Sequence, residues 1–227
     1  MGAAPPPAPA VTHWHAVLVA GDTAQPVFDN AVKAMGLWLV EHGVPGAEVH
    51  RLAASADGRD PSLEPATLKR VLDRIAGLQA RPGEGCFVFI TSHGAEDRGV
   101  YLAHDEEMLR PAALAQALDA GCGQVPTVVV VSACYSGSFA RGVMARPNRI
   151  VLTAARPDRP SFGCSAERTY TDYDSCLLAA LPHAPTWQNV FAEARACVRA
   201  REHQVGERPS QPQASFGKAV RNLPSQF

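Results

Sequence analysis

Four short runs of uninterrupted apolar residues constrain this chain more than any other feature. They are residues 15–20 (HAVLVA), 86–91 (CFVFIT), 127–132 (TVVVVS) and 150–154 (IVLTA). Each is apolar at consecutive rather than alternate positions, the pattern of a strand buried on both faces of a parallel sheet. Residues 48–52 read as a weaker strand. Between these runs lie amphipathic stretches. Ala31, Val32, Met35, Leu37, Leu39 and Val40 form a helical stretch, with Gly43 placed to cap it. Leu68, Val71, Leu72 and Ile75 mark a helix over 65–78, and a proline opens another over 111–120. Val190, Ala194, Cys197 and Val198 mark a last helix over 187–203. Residues 99–102 and 108–109 suggest a small hairpin. Strands alternating with helices predict an α/β fold, a mostly parallel sheet sandwiched between helices.

Length allows one large or two small domains, and 227 residues can bury a core without covalent staples. The expected division is a Pro/Ala-rich disordered linker over 1–12, one domain over 13–220 and a tail over 221–227. The linker has no Lys or Arg and no apolar core, so it is not a signal peptide. No run approaches the ~18 apolar residues of a membrane span. The reading is a soluble chain, cytoplasmic favoured, with a periplasmic or tethered form open if an N-terminal segment was removed. A net charge of −1 leaves no basic field for a polyanion, which excludes nucleic acid as a partner. Nothing in the sequence speaks to oligomeric state.

In open parallel sheets, ligands bind beyond the carboxyl ends of the strands. There the run 86–91 leads into Ser92-His93-Gly94, and 127–132 leads into Ala133-Cys134-Tyr135-Ser136-Gly137. Neighbouring strands lie ~4.8 Å apart, so an imidazole and a thiol leaving adjacent ends fall within reach of each other. His93 and Cys134 are therefore the candidate catalytic pair. Glycine at 94 lets backbone approach a substrate closely. Its N–H and that of Cys134 are candidates for an oxyanion hole. The chemistry is acyl transfer, most simply peptide-bond hydrolysis, and needs no cofactor or metal.

Thr91-Ser92-His93-Gly94 and Ser132-Ala133-Cys134-Tyr135-Ser136-Gly137-Ser138 resemble the two catalytic motifs of the legumain-like cysteine peptidases, bacterial type. Residues 17–21, 27–31, 153–155, 162–165 and 210–213 resemble further segments of that family, so the likeness runs from about His15 to Gly217. It implies the caspase–haemoglobinase fold, a His93–Cys134 dyad with Gly94 in the oxyanion hole, and a peptide or protein substrate. Specificity departs from the Asn-cleaving members. Phe28 and Asp29 stand where a basic pocket residue is expected, and Ser132 where an acid is expected. Thr23 replaces an Asn that orients the histidine. Asp29, Ser132 and Asp174, with Asp172 as the alternative acid, are the candidate substrate-binding residues. The acidic character favours Lys, Arg or a neutral polar P1, whereas the resemblance implies Asn.

Other features read more plainly. Cys86 and Cys122 are expected as core thiols and Cys197 as helix packing. Cys164 and Cys176 flank a polar loop and read as free thiols, a bridge between them remaining open. His13-Trp14-His15 offers two imidazoles, read as a pair at the domain edge; His104-Asp105-Glu106-Glu107 reads as a solvated loop. Ser210 to Gln213 is a candidate cleft lining. Two alternatives accompany the endopeptidase reading. One is a transamidase or ligase, in which an amine intercepts the same acyl-enzyme; the other is a non-catalytic scaffold. Neither a G-x-S-x-G elbow nor a dinucleotide glycine fingerprint is present.

Overall fold

The computed structural model describes residues 10–227, so most of the segment read as a Pro/Ala linker lies outside the described residues. The apolar runs become β1 (His13–Ala20), β4 (Glu84–Thr91), β8 (Thr127–Ser132) and β9 (Arg149–Thr153), joined by β2 (Val49–Ala53). Two short strands complete the seven-stranded sheet, β3 (Leu63–Pro65) and β10 (Gln213–Phe216), in the order β10-β9-β8-β4-β1-β2-β3. All neighbours run parallel except β10, which pairs antiparallel with β9. Neither β3 nor β10 is marked in the sequence, because three or four half-buried residues carry no periodicity that stands out.

Side chains alternate across each central strand and so divide the core into two layers. Ala16, Leu18, Phe87, Phe89, Val128, Val130, Ile150 and Leu152 face α1 (Val27–Glu41), α4 (Asp172–Ala180) and α5 (Trp187–Val205). Val17, Val19, Val88, Ile90, Val129, Val131 and Val151 face α2 (Leu68–Ala76) and α3 (Pro111–Gly121). This two-sided burial is why the strands read as continuous apolar runs. A second sheet of β5 (Gly94–Ala95), β6 (Gly99–Leu102) and β7 (Glu107–Leu109) rises beyond β4 and contains the expected hairpin.

One helix starts later than expected and another forms where a loop is expected, and a threonine caps each. The Thr67 hydroxyl accepts from the Arg70 N–H at 3.1 Å, so α2 begins after Pro65 has closed β3. The Thr171 hydroxyl accepts from the Asp174 N–H at 3.1 Å and opens α4, a helix in the stretch read as polar loop. Asp172 and Asp174 disguise it, although acids favour a helix's first turn.

The cysteines also differ from expectation. Cys86 is bridged to Cys122 (Cα–Cα 6.1 Å) and Cys176 to Cys197 (Cα–Cα 5.7 Å). The first bridge ties β4 to the end of α3, and the second ties α4 to α5. Cys86, Cys122 and Cys197 are thus half-cystines rather than core or packing thiols. Cys176 bridges to Cys197, not Cys164, and Cys164 remains free with Cys134. The residues read as a tail pack on the body: the Phe227 ring stands 4.9 Å from Trp14 and 5.4 Å from both Trp38 and Phe87.

Candidate active site

Register places the two candidate catalytic residues at one level of the sheet. Thr91, the last residue of β4, pairs with Ser132, the last of β8, and the Ser92 N–H donates to the Ser132 carbonyl at 3.1 Å. His93 and Cys134 each follow two residues beyond that pair, in turns that remain partly open to solvent. Gly94 locks the turns together. A Cβ at this position would collide with the Cys134 carbonyl and lie 3.1 Å from the Ala133 Cβ, so no other residue brings the two backbones this close.

The surroundings of each group are built from separate elements. The Phe28 ring, in the first turn of α1, meets His93 edge-on with centroids 5.2 Å apart. The Tyr101 N–H donates to the His93 carbonyl at 2.9 Å, which anchors the turn from β6. Phe28 therefore steadies the imidazole through packing, while Thr23 is exposed. The Cys134 sulfur accepts from the Ser161 N–H at 3.2 Å, and its thiol faces the Ser161 carbonyl at 3.4 Å. Tyr135, next in sequence, holds the left-handed conformation (φ 59°) and donates its N–H to the Arg159 carbonyl at 2.8 Å. Such a strained residue persists only where its neighbours hold it. Ser161 was not singled out from sequence; it adjoins the 162–165 segment that carries part of the resemblance.

The candidate substrate-binding residues fall at different depths. Asp29 is half-buried on α1, with one carboxylate oxygen unpartnered, and burial raises its pKa against a hydrogen bond from Ser55. Ser132 is 2% exposed and Asp174 0% exposed, so both lie beneath the strand ends rather than at an open surface. The Thr91 hydroxyl donates to one Asp174 oxygen at 2.7 Å, and the other oxygen is buried without a hydrogen-bond partner. Asp174 thus ties α4 to the end of β4, the strand that leads to His93. Burial pushes its pKa up to about 6, with hydrogen bonding pulling the other way.

Asp172 is buried and ion-paired with Arg168 at 2.6 Å and Arg201 at 3.3 Å. Cys164 shares this neighbourhood. Burial, then the negative fields of Cys134, Asp174, Asp172 and Asp22, push its thiol up to about 12. It stays protonated and is no rival nucleophile. Ser210 is fully buried, and its carbonyl accepts from the Arg156 N–H at 2.9 Å. The 209–212 segment so braces the loop that holds Tyr135. A groove of about 580 Å³ between α5 and this segment is lined by Gln211 and Pro212 of the candidate cleft stretch, but not by His93, Cys134, Asp29, Ser132 or Asp174.

A parallel sheet between two helical layers, with a histidine turn and a cysteine turn at one edge, is the architecture of the caspase-like proteins. Caspase-1 from Spodoptera frugiperda superposes with a TM-score of 0.62 at 12% identity, covering 93% of this chain and 89% of its own. The family model for the peptidase C13 family matches residues 69–220. The chain belongs to that family of cysteine peptidases, the legumain family, and is a hydrolase acting on peptide bonds. No curated protein matches the chain. Among the described residues, no helix is long and apolar enough to cross a membrane.

Proposed function

We propose that the chain is a cysteine endopeptidase in which His93 and Cys134 form the catalytic dyad. The shared register of their two turns, locked by Gly94 against the Cys134 carbonyl, is the observation that carries this reading. His93 takes the Cys134 proton, and the thiolate attacks the scissile carbonyl carbon. The tetrahedral oxyanion is held by the N–H groups of Gly94 and Cys134. The His93 imidazolium then protonates the leaving amine, which departs and leaves a thioester. His93 next activates water to hydrolyse that thioester and release Cys134. An amine in place of water would give transamidation by the same route.

The pocket favours a neutral polar P1. Arg168 and Arg201 neutralise Asp172, and Asp174 is buried and held toward its protonated form. That leaves little free negative charge for Lys or Arg. The Arg168–Asp172 pair instead offers a donor and an acceptor side by side, which suits a carboxamide. Asp29 is the remaining acid at the edge. Two disulfides support an oxidising compartment rather than the cytoplasm.

A peptide library varied at P1, digested by wild type and by Cys134→Ala, tests the whole reading. Cleavage should follow Asn most strongly and vanish in the variant. Cleavage retained by Cys134→Ala would move the nucleophile elsewhere, and cleavage only after Lys or Arg would overturn the pocket. Repeating the digest with an added amine and weighing the products separates hydrolysis from transamidation.

A further inference from the structure

The motif His13-Trp14-His15, which the peptidase reading leaves unused, lies at the opposite end of the sheet from Cys134. Period-two alternation puts both imidazoles on one face of β1. His13 pairs in register with Glu84 on β4, and Ala16 pairs with Val49, which brings Glu48 alongside His15. A His-x-His pair on one strand thus meets one carboxylate from β4, Glu84, and one from the turn just before β2, Glu48.

The geometry points to a binding site for a divalent transition-metal ion of the zinc class, held by His13, His15 and Glu48 and steadied by Glu84. One Glu48 oxygen lies 2.7 Å from His15 Nδ1 and the other 3.7 Å from His13 Nε2. The three donor atoms all lie within 4.8 Å of one another. A tetrahedral ion with bonds of about 2.0–2.1 Å spaces its ligand atoms about 3.3 Å apart, so small side-chain movements close the site. His15 Nε2 faces Glu84 at 3.0 Å, and that carboxylate is itself fixed by the Arg81 N–H at 2.7 Å. A metal-bound imidazole is commonly oriented in this way, through a hydrogen bond from its second nitrogen to a carboxylate. The side chains of His13 and Glu48 are 36% and 31% exposed, which leaves an entry path and a fourth position for water.

The donor set is two neutral imidazoles and one carboxylate, which suits zinc, cobalt or nickel better than magnesium or calcium. Its place is structural. The ion would tie the start of β1 to the turn before β2, with β4 behind it, at the end of the sheet remote from the candidate active site.

Cobalt(II) and zinc binding to the tag-free, full-length Cys134→Ala protein tests this, since that background removes the thiol of the candidate dyad. One equivalent of cobalt should bind with the absorption of a four-coordinate ion and be displaced by zinc. The melting midpoint should rise on zinc addition. His13→Ala and His15→Ala should each weaken zinc binding at least 100-fold and abolish the rise. Glu84→Gln should weaken binding about 10- to 100-fold. Melting curves of the variants without metal report whether they fold. Absence of saturable binding in Cys134→Ala overturns the site, as does unchanged affinity in His13→Ala. If His15 serves only as an imidazolium between two carboxylates, no zinc will bind.

Discussion

Asp174 shows how much one side chain can couple. Its carboxylate, on α4, receives the hydroxyl of Thr91, the last residue of β4, and so ties that helix to the strand end that leads to His93. Burial raises its pKa from an ordinary 3.8 to about 6. The folded protein therefore binds this proton more tightly than the unfolded chain does. Asp174 favours the native state below about pH 4, and that contribution is lost as the pH rises through 6. A shift of this size corresponds to roughly 3 kcal/mol at about 1.4 kcal/mol per unit. Urea unfolding of wild type and Asp174→Asn at pH 4 and pH 7 should show the variant gaining on wild type by a few kcal/mol over that interval. Parallel pH dependences would mean that the carboxylate does not titrate there.

At the scale of elements, the two disulfides connect pieces that packing alone would leave adjustable. One joins β4 to α3 across 36 residues, and the other joins α4 to α5 across 21. Closing loops of this length stabilises a fold by about 3–4 kcal/mol each in the chain-entropy account. Cys176→Ala/Cys197→Ala should lower unfolding stability by about 3 kcal/mol and loosen the α4 helix that presents Asp172 and Asp174. Alkylation of the denatured, unreduced protein should label two thiols, Cys134 and Cys164, and label all six cysteines only after reduction. Four or more labelled thiols without reductant would show that the bridges are not formed. The sequence could not pair these cysteines. Cys86 reads as one more apolar residue in a buried run, and spacing in the chain does not reveal which partner lies across the layer.

Across the whole molecule, an aromatic cluster joins both ends of the described chain. Phe227 packs against Trp14 of β1, Trp38 of α1, Phe87 of β4 and Trp187 of α5. Ser225 and Leu223 are buried beside it. Phe227→Ala should cost about 2–3 kcal/mol, measured by chemical denaturation, because the hole opens where four elements meet. A change under about 0.5 kcal/mol would show these last residues to be the dispensable tail that their polar composition suggests.

Much of the architecture was legible before any coordinates. Strands 127–132 and 149–153 show as continuous apolar runs, and the helix at 111–121 and the hairpin at 99–109 also carry local patterns, which a sequence displays directly. The turns bearing His93 and Cys134 were also visible, since each ends a buried strand. Only the tertiary structure put Ser161 against the Cys134 sulfur, Asp174 under the end of β4, Cys176 opposite Cys197, and Glu48 between His13 and His15. The physical reason is common to all four. Burial patterns repeat every two or 3.6 residues and are written locally. A contact between side chains far apart in the chain depends instead on strand order, register and the path of the crossovers, which exist only once the sheet has formed.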